Sequence, residues 1–234
     1  MIVPSMPFKD IFEAISEDSE KVKYRIEKVC PKAVKELKKS KSFPAWYIDE
    51  YTPGSNNKYV NFYIVRHPDQ IETPNVITFL VLFDKNNHRF VIRNMMMGYR
   101  HTPESDVVAL PTIHIITSHF LKQYNTRFLH NMSLTANEIA GLFLERNNLL
   151  VPLKMNEGIN RNYKQYDHNE QGIRVRDGFC FTRSCLEGKD TFEAIGIIYA
   201  TYMNETEMEN SQTDAINKES EEVLRKFFES ISDN

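Results

Sequence analysis

Between residues 43 and 97 four apolar runs follow one another with connections too short to hold a helix, and this spacing constrains the fold more than any other feature of the chain. The runs are 43–51, 59–67, 75–84 and 88–97. Parallel neighbours need a crossover of a dozen or more residues, so strands this close must pair antiparallel, as a meander. The run "VITFLVLF" is apolar on both faces and is expected at the centre, whereas "YVNFYIVRH" alternates only in part. Between the third and fourth runs, "DKNN" at 84–87 supplies residues that tolerate the left-handed backbone of a tight hairpin.

Helical patterns lie on either side. Residues 7–40 place Phe8, Ile11, Phe12 and Ile15, then Val22, Ile26, Val29, Ala33 and Leu37, at helical spacing. Pro31 removes a backbone donor in mid-pattern and is expected to begin a fresh helix. Residues 98–111 read as a polar, Pro-containing loop, followed by helices over about 112–130 and 135–149. Thr135 and Glu138 have the spacing of a capping box. Residues 152–171 are polar and aperiodic, which marks a long loop of functional type. Strands over about 172–184 and 191–203 and a helix over 205–231 complete the chain. The expected fold class is α+β, an antiparallel meander packed against helices from the N-terminal, central and C-terminal segments. Residues 1–234 read as one compact domain, with 1–97 and 112–234 as its halves if it divides.

Composition excludes several function classes. With 29 basic and 32 acidic residues the chain carries no overall pull toward nucleic acid or anionic lipid. Only 8 glycines are present, and neither a phosphate-cradling GxxxxGK[ST] nor a dinucleotide-binding GxGxxG occurs, so no nucleotide cofactor is expected. GxSxG and HExxH are absent too. Cys30, Cys180 and Cys185 are too few and too scattered for a thiolate metal site. The expectation is therefore no metal and no cofactor. Three sparse thiols without a secretory leader point to a reducing cytoplasm. The longest apolar stretch, Val76 to Phe83, is too short for a membrane-spanning helix.

Three constellations bear on function. On a helix over 112–130, His119, Gln123, Thr126 and His130 share a narrow sector with Arg127 beside it, while Phe120, Leu121, Tyr124 and Phe128 form the opposite face. An imidazole and a fixed cation together meet the needs of metal-free phosphodiester cleavage. A plain solvated helix face has the same pattern and is the commoner case. A second set, Lys154, Arg161, Lys164, Arg174, Arg176 and Arg183 with Tyr163 and Tyr166, could hold phosphates and stack bases, although Glu157, Asp167, Glu170 and Asp177 interrupt it. The third lies on the meander, where Arg66, His67, His88, Arg89 and Arg93 occur among aromatics. Val65, Ile92 and Met95 to Met97 argue that this sheet is mostly core.

The order of parts from His119 and Arg127, through a second helix, to strands bearing Arg174, Arg176 and Thr201 resembles small toxin ribonucleases. The resemblance spans residues 112–204 at most; the first 97 residues have no counterpart, and Gln123 stands where a basic residue would be preferred. It implies His119 as general acid or base, Arg127 and Arg174 as phosphate holders and Thr201 as an orienting hydroxyl. The favoured expectation remains a non-enzymatic binding or accessory module, with Arg161, Lys164 and Arg176 as binding residues and a protein or nucleic acid as partner.

Overall fold

A computed structural model describes residues 1–99, 108–159, 170–188 and 193–232. Among these, four helices and nine strands make a mixed α+β fold. The strands are β1 (Ala45–Tyr51), β2 (Lys58–Val65), β3 (Asn75–Phe83), β4 (Arg89–Tyr99), β5 (Val108–Thr117), β6 (Val151–Lys154), β7 (Glu170–Val175), β8 (Gly178–Glu187) and β9 (Ala194–Met203). They form one sheet in the order β1-β2-β3-β4-β5-β9-β8-β7-β6, antiparallel apart from one parallel pair. The meander expectation thus holds for the early strands and is too simple for the whole sheet. The helices are α1 (Phe8–Leu37), α2 (Ser118–Tyr124), α3 (Ala136–Arg146) and α4 (Asn210–Ser232). The chain divides into two compact units: unit 1 is Met1–Ile115 with Leu186–Gly196, and unit 2 is Ile116–Cys185 with Ile197–Asn234.

In unit 1, α1 runs unbroken through Pro31, contrary to the expected restart. Proline removes only one hydrogen bond, and Val29, Ala33 and Leu37 bury a continuous stripe across it. The N-terminus of α1 is capped from far along the chain: Glu187 accepts from Phe8 N at 2.8 Å and Lys9 N at 3.0 Å. Two carboxylates tie the helix to the sheet. Asp18, 2% exposed, accepts through Oδ2 from Ser55 Oγ, Asn57 Nδ2 and Tyr59 Oη at 2.6, 2.8 and 3.1 Å. Burial alone would raise its pKa, but these three donors and nearby Lys21 outweigh burial and hold the carboxyl below its ordinary range. Asp49 of β1 takes a bidentate pair from Arg25 of α1, at 3.0 and 2.6 Å.

Strands β1 to β4 pair in the expected order, Ala45↔Val65 through Tyr51↔Tyr59 and Lys58↔Val81 through Ile64↔Asn75. The strand buried on both faces is β2, whose residues after Lys58 are all buried, rather than β3, whose two ends are exposed. The 84–87 hairpin is as read: Asn87 has φ 62° and donates to Asp84 O at 2.9 Å.

The expected helix over 112–130 begins late and ends early. Residues 108–117 are strand instead, because Val108, Thr112, Ile113, Ile115, Ile116 and Thr117 are β-branched and stiff at χ1, which suits a pleated, buried surface. Thr117 caps α2, accepting from Phe120 N at 3.1 Å. After Tyr124 the backbone widens into a single π-type turn over 125–129, closed by His130 N donating to Asn125 O at 2.7 Å. The capping box of α3 is present: Glu138 N donates to Thr135 Oγ1 at 3.3 Å, and Thr135 N donates to Glu138 Oε2 at 2.7 Å. The 172–184 run is two strands, β7 and β8, turning at Arg176–Asp177, and Val151–Lys154 at the start of the expected long loop is the edge strand β6. At the β7–β8 turn Gly178 has φ 152°, and a Cβ there would lie 2.4 Å from Met203 O, so no side chain fits.

Candidate functional site

Unit 2 is held around Asp177. Its carboxylate accepts from Tyr124 Oη at 2.6 Å, Arg146 Nε and Nη2 at 2.8 and 2.7 Å, and Asn147 Nδ2 at 3.0 Å. Burial pushes its pKa up, but the hydrogen bonds from Arg146 and Tyr124 win and hold it low. Burial and the adjacent Asp177 charge push the Tyr124 phenol up, so it stays protonated and cannot trade protons near neutrality. Above this node Phe120, Tyr124, Phe143, Tyr199 and Tyr202 pack edge to face, with centroids 4.9 to 6.2 Å apart. A closed, satisfied network of this kind positions elements rather than performing chemistry.

What it positions is a cleft of about 410 Å³ on the β7–β9 face. Strand alternation and register set Glu170, Gly172 and Arg174 of β7 opposite Arg183, Phe181 and Phe179 of β8, all on one face. Gly172 is required there, since its Cβ would lie 2.1 Å from the Phe179 ring. Phe181, Met155, Ala200 and Met203 give the cleft an apolar floor. Two ion pairs line it. Glu170, 12% exposed, faces the far more open Arg183 at 3.9 Å. Arg127, carried by the π-type turn, pairs with Glu207 at 3.3 Å and donates to Tyr202 O. Thr182, Thr201, Gln171, Gln212 and Glu209 complete the polar wall. The lining carries two guanidiniums and three carboxylates, so its charge is mixed and slightly negative.

Of the residues singled out in the sequence, Arg127, Arg183 and Thr201 meet in this cleft. His119 is exposed on α2 and does not line it, and Arg174 donates to Gly178 O at 3.2 Å while forming an ion pair with Glu205. Thr126 and His130 are exposed, but the π-type turn and the left-handed His130 (φ 52°) break the regular spacing that aligned them with His119. Arg176 is exposed at the β7–β8 turn. Arg161 and Lys164 lie outside the described residues.

The roles of Gln171, Thr182, Glu207 and Gln212 were missed in the sequence. An Asp-Gly pair at 177–178 is a hairpin signal, and splitting 172–184 there would have set Gln171 against Thr182. Glu207 and Gln212 give no local signal.

Among the described residues no cluster of three or more His, Cys, Asp or Glu side chains could hold a metal ion. No described helix is long and apolar enough to cross a membrane. No family model matches the chain, and neither a curated protein nor a solved structure matches it.

Proposed function

We propose that the protein is a binding module and that the unit 2 cleft is its site, taking a short polar ligand that carries both charges, such as a peptide segment. The observation that carries this reading is the pairing of Arg183 with Glu170 and Arg127 with Glu207 across an apolar floor. Partly exposed ion pairs are worth only about 0–1 kcal/mol, so a ligand bearing an ammonium and a carboxylate can replace them at little cost. Its apolar portion would rest on Phe181 and Met203, and about 410 Å³ is within the range of ligand pockets. The three free thiols are in keeping with a cytoplasmic setting.

The ribonuclease reading is supported by Arg127 and Thr201 in the cleft, but His119, the group it assigns to proton transfer, does not line it. Proton transfer needs hydrogen-bond reach, and no described histidine lines the cleft. Titration calorimetry with a set of dipeptides, run beside an RNA cleavage assay on the wild type and His119→Ala, separates the two. Saturable dipeptide binding that weakens by about two- to fivefold in Arg183→Ala, with equal background cleavage in both proteins, is the expected result. Cleavage that disappears in His119→Ala, with no dipeptide binding, would reverse the assignment.

A further inference from the structure

We propose that the tip of the β3–β4 hairpin docks single-stranded nucleic acid, with the Phe83 ring as a stacking platform and Lys58, Lys85 and Arg89 as phosphate contacts. Phe83 ends β3 and is 38% exposed. Register explains its company: Phe83 sits opposite Arg89, and Lys58 opposite Val81, so period-two alternation puts Lys58, Phe83 and Arg89 on one face. Lys58 Nζ and Arg89 Cζ each lie 5.8 Å from the ring centroid. Lys85 is exposed in the turn beyond.

Two carboxylates, Asp84 and Glu50, are close and leave one net positive charge among Lys58, Lys85 and Arg89. Asp84 is engaged by its own turn, accepting from Asn86 N and His88 N, both at 2.8 Å, with His88 Nδ1 at 2.9 Å. Glu50 interacts with Arg89, whose half-burial lowers its pKa from a value so high that the guanidinium stays charged. Magnitudes favour a base over the present arrangement. An exposed cation–π contact is worth about 0.5–1 kcal/mol, whereas a base stacked on an aromatic is worth about 1–3 kcal/mol. A base can therefore displace the flexible Lys58 ammonium from the ring and leave it beside a phosphate. An acidic peptide would satisfy the cations but not the ring, which is why the exposed phenyl decides the class of partner. Stacking is indifferent to base identity, so no sequence preference is expected.

The test is fluorescence anisotropy of a labelled oligouridylate of about 12 nucleotides with the full chain, in the range of known single-strand site sizes. Saturable binding is expected at 50 mM salt, falling roughly 20-fold at 200 mM if three phosphates are contacted. Phe83→Ala should weaken it by about five- to a hundredfold, and Lys85→Glu should weaken it and reduce the loss between 50 and 200 mM salt from roughly 20-fold to roughly 7-fold, as expected for one lost phosphate contact. Poly-glutamate should not compete. No saturable binding, unchanged binding in folded Phe83→Ala, or equal competition by poly-glutamate would each overturn the proposal. Should Phe83→Ala fail to fold, Lys85→Glu in the exposed turn decides: unchanged affinity refutes it.

Discussion

Unit 1 shares the tie between helix and sheet between two carboxylates, Asp18 on α1 and Asp49 on β1, each with its own donors. Unit 2 concentrates the same task on one, Asp177, which collects a phenol, a guanidinium and an amide from the helical side. Distributed anchoring tolerates the loss of one group; concentrated anchoring does not. The arrangement also separates scaffold from site in unit 2. The Asp177 carboxylate, 2% exposed, is closed and saturated, while the carboxylates of the cleft pairs, Glu170 at 12% and Glu207 at 41%, remain more open to solvent and to exchange.

The contrast breaks most visibly at Asp177. Asp177→Ala leaves the buried Tyr124 hydroxyl and Asn147 amide without their acceptor and strands the partly exposed Arg146 charge, which together should cost about 3–5 kcal/mol, read as loss of amide protection throughout unit 2 before unit 1. If both units lost protection together, the division of anchoring would be wrong.

Acid should act first on unit 1. Burial, reinforced by Arg93, lowers the His114 pKa to about 4. The unfolded imidazole, near 6.5, takes up its proton first. Stability is therefore full above that value and falls as pH drops from 6.5 toward 4, by up to about 3 kcal/mol. Asp177 and Asp18, both held low, contribute stability above the unfolded carboxylate value and lose it only below about pH 4. Trp46, the single tryptophan, lies in β1 of unit 1, so its fluorescence midpoint in urea should fall between pH 6.5 and 4.5, and His114→Gln should flatten that slope.

Asp18→Ala leaves the buried Asn57 amide and Tyr59 hydroxyl and the partly exposed Ser55 hydroxyl without their acceptor but strands no paired guanidinium, and should cost about 1–3 kcal/mol, less than Asp177→Ala and confined to unit 1. Equal costs for the two would erase the distinction between shared and concentrated anchoring. The smallest effect belongs to Glu187→Ala, which uncaps α1 and should cost about 1 kcal/mol, visible as early exchange at Phe8 and Lys9.

Sequence made legible whatever a local pattern encodes. The Thr135–Glu138 box, the 84–87 hairpin and strands β1 to β4 rest on spacing within a few residues. Where two patterns meet, the sequence misleads: Phe120, Leu121, Tyr124 and Phe128 fit one face of a helix over 112–130, yet β-branching carries residues 108–117 into the sheet. The π-type turn after Tyr124 has no sequence signature, and it undid the stripe from His119 to His130. Long-range partners were invisible, as with Glu187 capping a helix whose first residue is Phe8. The cleft suffers from both, since it joins a π-type turn, three strands and the start of α4.

The most direct test of the cleft is an amide shift map of labelled protein titrated with a peptide that carries one ammonium and one carboxylate. The account predicts perturbations centred on Gln171, Thr182, Thr201 and Gln212, abolished in the Glu170→Ala/Arg183→Ala double variant. Perturbations confined to unit 1, or a map left unchanged by that double variant, would contradict it.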